Sequence, residues 1–439
     1  MPDKKISTAV ATAVGLAAII GAGIYVLSGT AIALAGANAL IAFVLVGLVA
    51  AIIAMELGEL GSLMPYVKGA SYSYTFNALG SEMGFITGLL YYVALAAAMS
   101  AVALGFGSYL SSMLGLPVAT FAIPFAIVLI VILSAVNMFG IKKAAQADFG
   151  LVIIKIAILL IFVAFAMLMA LSGAHVSAAN FSVGIGGSGL SGIFAASVIV
   201  FFAYSGFQAI STITDRIKDG TRGYVKAIIS SVIISIIIYA LVVVALLLLL
   251  PARAYRIGAD PLAFALRNVH APSWLFLAVG IGALIATASA AIAMMLSSSR
   301  LLYQMSSDRL LPRFFRKYDK RKDVASNGIL VSAVIGIAML FAGNIYVIAS
   351  IANFGLLFGY LIVGFDVIHF RRSGKRSGFR MPLYPWLPII GIIAILAFFT
   401  GMPKEALEFG VILVLALIVV YYALREEKAK KIIRIRLFD

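Results

Sequence analysis

The chain has no cysteine, three histidines and few charges: Asp, Glu, Lys and Arg make up 11% of its 439 residues. Without cysteine, disulfides, thiolate nucleophiles and cysteine metal sites are excluded. His175, His270 and His369 are far apart, and none is paired with acids at the spacing of a metal site or an HExxH helix. No GxSxG occurs in a strand–turn–helix context. Enzyme chemistry therefore has no carrier here, and nothing asks for a cofactor or a metal. The charge is also lopsided, with 33 Lys+Arg against 17 Asp+Glu and a formal net charge of +16. The basic residues lie in short segments between apolar runs, where they set membrane topology rather than bind nucleic acid.

What the chain does have is apolar length. It is 63% hydrophobic with a mean hydropathy of +1.13, whereas soluble domains are about half apolar and about a quarter charged. Runs of about 20 apolar residues, each long enough for a bilayer span, recur throughout. The fold class is an all-α polytopic membrane protein. Met1 to Ser7, with Lys4 and Lys5, has the form of a signal-peptide n-region. The apolar segment behind it is too long and lacks a clean cleavage site, so it is read as a retained first helix.

Spans are predicted near 7–33, 38–63, 84–112, 120–137, 149–171, 191–213, 225–250, 273–303, 328–342, 346–369, 385–400 and 407–424, about twelve in all. Alternate connections carry the positive charge: Lys4 and Lys5, Lys68, Lys142 and Lys143, Arg216 to Lys226, Arg309 to Lys322, Arg371 to Arg380, and Arg425 to Arg436. The opposite side holds only Arg253, Arg256, Arg267 and Lys404. This asymmetry places both termini in the cytoplasm and the protein in the cell membrane. The Arg309–Lys322 cluster reads as a topology determinant, with lipid headgroups as a second partner.

Two spans are interrupted. The first carries Gly21-Ala22-Gly23-Ile24-Tyr25 at its centre, and the sixth carries Ser205-Gly206-Phe207 followed by Gln208. Glycine costs about 1 kcal/mol in a helix interior, and unwound backbone in a membrane needs partners or a cavity. Either the glycines admit a close neighbour, or the helices open to offer N–H and C=O groups to a ligand. Interruptions at corresponding positions of two halves point to a transporter site between inverted repeats. The chain then divides into 1–172 (helices 1–5), 173–370 (helices 6–10, entering from the opposite side) and 371–439 (two extra helices and a basic tail).

Five stretches carry a resemblance: Gly21 to Tyr25, MELGELGSLMPYVKGASYSY at 55–74, FFAYSGFQAISTITDRIKDG at 201–220, SSSRLLYQMSSDRLLP at 297–312 and FRMPLYPWLPIIG at 379–391. Over nearly its whole length the chain resembles the amino acid–polyamine–organocation transporter superfamily, and Lys155 makes it most similar to prokaryotic proton-coupled members. The resemblance implies a leucine-transporter-like 5+5 inverted repeat with helices 1 and 6 broken, plus two further helices. It also implies alternating access around a substrate held between the breaks. The substrate carboxylate would meet the N–H groups at Ala22 and Gly23, between Gly21 and Ile24. Its amino group would meet the carbonyls of Ile19, Phe202 and Ser205, beside Gly206. Its side chain would lie near Tyr204 and Phe207 of the sixth helix and Tyr91 or Tyr92 of the third. Helix N-termini favour anions and C-termini favour cations, which suits a zwitterion. The family often has an acidic residue at Gln208 and prolines at Gly220 and Val225, so acid-driven exchange does not carry over.

Lys155 lies in the fifth span, seven residues after Asp148 and so about 10 Å deeper at about 1.5 Å per residue. Either it snorkels back to the cytoplasmic interface, or it faces the bundle and carries the transported proton, since burial disfavours a charged amine. The resemblance puts its ammonium where sodium-coupled relatives hold sodium. Its partners would be a carbonyl among Gly15 to Ala18 and the hydroxyl of Ser289 or Thr287. Glu56 and Glu59 in the second span, and Asp366 and His369 in the tenth, are expected to pair with loop arginines or Arg300, as part of an inner gate. The expected function is proton-coupled uptake of small or apolar neutral amino acids. A proton-independent exchanger is the alternative, as is an organic-cation or polyamine carrier, which would want carboxylates facing the site. A channel is disfavoured by the lack of a repeated filter motif.

Overall fold

A computed structural model describes residues 6–64, 70–139, 144–173, 178–181, 189–206, 210, 217–319, 322, 324–375 and 377–436. Its elements are helices: α1 (Thr8–Ile19), α2 (Ala22–Ala35), α3 (Ala39–Leu63), α4 (Ala70–Leu79), α5 (Ser81–Met113), α6 (Val118–Met138), α7 (Ala144–Leu171), α8 (Leu190–Tyr204), α9 (Gly220–Leu249), α10 (Pro261–Asn268), α11 (Ser273–Ser307), α12 (Ser326–Met339), α13 (Ile345–Arg372), α14 (Trp386–Phe399) and α15 (Lys404–Arg436). Backbone groups that water cannot reach must pair with one another, and a helix does this within itself.

By length and composition, eight stretches can cross a membrane, and α1, α8, α12 and α14 are shorter apolar helices. One of the eight, Ala22–Leu63, joins α2 to α3. Helical geometry breaks there at Gly36, whose φ of +61° is costly for any residue with a Cβ. Two helices had no counterpart among the predicted spans. These are α4 and α10, of 10 and 8 residues, too short and too polar to register as apolar runs.

The packing has an inside and a rim. All fourteen residues of α2 are buried, and α13 is 89% buried along its most apolar window, against 17% for α15. Val128, Val131 and Ile132 on α6, Leu160 and Leu168 on α7, and Ile412, Leu415 and Val419 on α15 stay exposed. A continuous outward apolar face of this kind has hydrocarbon as its natural solvent. The chain is a multi-pass membrane protein.

Candidate functional site

Helical geometry stops at Ile19 and resumes at Ala22. Between them the Ile20 N–H donates to the Leu16 carbonyl and the Gly21 N–H to the Ile19 carbonyl, each at 2.7 Å. The first N–H groups of α2, at Ala22, Gly23 and Ile24, have no acceptor within their own helix. On the other strand of the chain, α8 stops at Tyr204 and a tighter turn covers Ser205 and Gly206. The Ser205 hydroxyl donates back to the Phe202 carbonyl at 2.9 Å.

These ends meet. A Cβ on Gly206 would overlap the backbone of Ala18 and Ile19, and one on Gly23 would overlap the backbone of Ala203. Ile19, Gly21, Ala22, Gly23, Ile24, Phe202, Ser205 and Gly206 therefore come together around two helix C-termini and one helix N-terminus. Tyr239 on α9 ties the C-termini to each other. Its hydroxyl lies 2.6 Å from the Ile19 carbonyl and 2.9 Å from the Ala203 carbonyl. A phenol has one hydrogen, so it serves one carbonyl at a time.

The expected aromatic lining divides. The Tyr204 hydroxyl donates to the Phe43 carbonyl of α3 at 3.1 Å, and its ring packs on Tyr239 at 5.0 Å. The hydroxyl end of Tyr204 is thus committed to α3. Tyr92 is buried and takes the Ser332 hydroxyl of α12 at 3.4 Å, while Tyr91 is only half-buried. Phe207 and Gln208 lie outside the described residues.

Lys155 on α7 is 2% exposed, so it does not snorkel. Its Nζ donates to the Ser289 hydroxyl of α11 at 2.7 Å, and Ser289 passes its own hydrogen to the Ala286 carbonyl at 3.1 Å. The Tyr25 hydroxyl of α2 donates to the Lys155 carbonyl at 2.8 Å, and the Tyr109 hydroxyl of α5 donates to the Tyr25 carbonyl at 2.6 Å. One chain of hydrogen bonds thus joins α5, α2, α7 and α11. Thr287 is turned away, its hydroxyl held by the Ala283 carbonyl of its own helix at 2.7 Å. The ties made by the Tyr239, Tyr25 and Tyr109 hydroxyls leave no mark in the sequence, because a tyrosine in an apolar span has no spacing that marks its hydroxyl as a helix tie.

At the far end of α3, Glu59 accepts two hydrogen bonds from Arg371 at 2.6 Å each and one from the Met381 N–H at 2.8 Å. Arg371 also stacks over Tyr384, 4.3 Å from the ring centre. The expected ion pair forms here but not at Glu56 or Asp366, whose Oε1 and Oδ1 have no partner among the described residues. Arg371 grips both oxygens of Glu59 at once, the fork geometry that suits a single carboxylate. Arg371→Ala is expected to destabilise the detergent-solubilised protein by about 3–5 kcal/mol by stranding Glu59. The double variant Glu59→Gln/Arg371→Met should recover most of that in thermal unfolding, and an equal loss in both would count against the pair.

On the opposite end, α10 seats Pro261 against Gly29 of α2, and the Thr30 hydroxyl donates to the Gly258 carbonyl at 3.1 Å. Ser112 donates to the Asp260 carboxylate, and Arg267 donates to the Ser112 carbonyl at 3.0 Å. Burial raises the Asp260 carboxyl above the usual range, and the bond from Ser112 and the charge of Arg267 pull it back.

A family model described as amino acid permease matches residues 10–424. The chain is 28% identical over 411 residues to the methylthioribose transporter of Bacillus subtilis (strain 168), covering 89% of this chain and 87% of that protein. It is 28% identical over 442 residues to the branched-chain amino acid permease BcaP of Lactococcus lactis subsp. cremoris (strain MG1363), covering 95% and 94%. Against the BcaP of Bacillus subtilis the identity is 26% over 404 residues, covering 87% and 84%.

Proposed function

The chain belongs to the amino acid permease family, and on that premise we propose that it carries small or apolar neutral amino acids across the cell membrane by alternating access. In this reading α1 and α2 are the two parts of one interrupted span, and α8 is the first part of another. With the remaining apolar helices they make twelve spans, divided as 1–172, 173–370 and 371–439, with both termini cytoplasmic. The observation that carries the reading is the meeting of the α1 and α8 C-termini with the α2 N-terminus. Carbonyls and N–H groups converge there, while residues 15–27 and 198–206 contain no charged side chain.

A zwitterion would set its carboxylate on the Ala22 and Gly23 N–H groups. Its ammonium would replace the Tyr239 and Ser205 hydroxyls on the Ile19 and Phe202 carbonyls. Each replacement exchanges a neutral donor for a charged one, which makes a stronger hydrogen bond. The absence of an acidic side chain in these segments disfavours diamines, whose second cation would lack a partner. The branched-chain substrates in the names of the BcaP relatives fit the same apolar surroundings. Lys155 is the proton carrier: protonated, it holds α7 to α11 through Ser289, and neutral, it loosens that tie.

The test is counterflow in proteoliposomes preloaded with leucine. Labelled leucine, isoleucine and valine should accumulate with saturation, whereas arginine, putrescine and methylthioribose should not compete. Accumulation of putrescine would favour the organic-cation reading. Leucine uptake into empty vesicles under an inward acid gradient would separate symport from obligate exchange.

A further inference from the structure

We propose that Glu56 and Asp366 form a proton-binding site of their own, buried at the meeting of α3, α4, α13 and α14 and separate from Lys155. Glu56 is 1% exposed and Asp366 is 0% exposed. Asp366 Oδ2 takes the Thr75 hydroxyl of α4 at 2.8 Å, but among the described residues Asp366 Oδ1 and Glu56 Oε1 have no hydrogen-bond partner. Around Glu56 Oε1 the neighbours are chosen for room rather than for donors. A Cβ on Gly364 of α13 would lie 3.5 Å from it and one on Gly391 of α14 would lie 3.3 Å from it. The same two positions face Ile392 and Ile52, which offer only carbon.

Among the described residues no cation forms an ion pair with Glu56 or Asp366. Among the described residues the charged neighbours of Glu56 are Asp366 and Glu59, both acidic. Arg371 is committed to both oxygens of Glu59 and to the Met381 carbonyl. From α4 come Tyr72, which donates to Asp308, and Tyr74. From α9 comes Tyr224, near Gly58, while Arg222 and Lys226 of that helix are exposed. Tyr204 of α8 is spent on Phe43, α14 has no titratable side chain, and His369 stands three residues beyond Asp366. Glu82 at the start of α5 is half-buried and takes the Tyr422 hydroxyl.

An ionised carboxylate buried without a partner takes up a proton rather than bear the desolvation cost. Two carboxylates in one site make the first proton still harder to lose. The step is simple: a carboxylate oxygen accepts a proton from water, one O–H bond forms, and no other bond changes. The new O–H is a donor where the cluster had only acceptors. Parting α3 from α13 and α14 lets water reach the carboxyl and take the proton back. This end of the bundle therefore gains a proton when it closes and returns it to the same side when it opens. Neither a substrate nor Lys155 takes part in this exchange.

The test is infrared difference spectroscopy on the purified full-length protein, following the carbonyl stretch of a protonated carboxyl at pH 7. The wild type should show that band, Glu56→Gln or Asp366→Asn should remove it, and Lys155→Met should leave it in place. Its absence from the wild type would overturn the proposal, as would its full persistence in both acidic-site variants. The wild-type spectrum decides even if one variant fails to fold, and the glutamine keeps the shape of the protonated acid.

Discussion

Gly206→Ala is expected to lower counterflow on the order of a hundredfold, the scale of a misplacement of about 1 Å at a reacting site. The added methyl meets the carbonyl oxygen and carbon of Ala18 and the nitrogen of Ile19, all backbone, so no side chain can rotate to make room. Relief requires the end of α1 to retreat from the end of α8, which separates the Ile19 carbonyl from the Tyr239 hydroxyl. The accompanying loss of stability should be about 1–3 kcal/mol, as for overpacking elsewhere. Gly23→Ala meets the Ala203 backbone and should behave in the same way. Gly359→Ala is the control, because its Cβ would have nothing within 4 Å and the position is interior to a helix. Alanine there should be tolerated, or stabilise by roughly 0.5–1 kcal/mol. Wild-type uptake by Gly206→Ala would mean that the two helix ends need not touch during the transport cycle.

Lys155→Ala is expected to flatten the pH dependence of uptake and to reduce gradient-driven accumulation at least about tenfold, or about 1.4 kcal/mol of driving force. Acid outside should accelerate the wild type by loading the amine, and the variant has no amine to load. Alanine also leaves a hole beside Ser289 and Tyr25. Lys155→Met is the companion that keeps the stem and removes the charge, and it should fold as well as the wild type by thermal unfolding. Exchange of internal for external substrate should survive in Lys155→Met better than net uptake does. An unchanged pH profile in proteoliposomes would remove the proton-carrying role from this residue.

Much of the architecture is legible in the chain, and the failures have physical causes. Long apolar runs mark α3, α5, α9, α11 and α13 because a bilayer demands them. The short helices α4 and α10 leave no such trace, since neither has to match the thickness of anything. Glycine positions show well: Gly21, Gly23 and Gly206 are too costly in a span to lack a reason. Hydroxyls show badly. Thr287 and Ser289 are two residues apart and so point to different sides of α11, and only the fold decides which one faces Lys155. Charge pairing shows only in aggregate. Glu56, Glu59 and Asp366 look alike in sequence, and only the fold shows that Arg371 goes to Glu59, whose two oxygens it grips together.

The tie between Tyr239 and Ile19 bears on how the protein is made. The hydroxyl that holds the Ile19 carbonyl lies 220 residues further along the chain. At 12 and 14 residues, α1 and α2 reach about 18 and about 21 Å, and neither alone crosses a hydrocarbon core of about 30 Å. On the proposed reading of α1 and α2 as one interrupted span, they enter the bilayer as one piece, at a stage when Tyr239 has not yet been synthesised. On that reading the opening at Ile20 and Gly21 is a late event of biogenesis, fixed only when α9 arrives. A ribosome-bound chain truncated before residue 239 should carry its first segment as an unbroken rod.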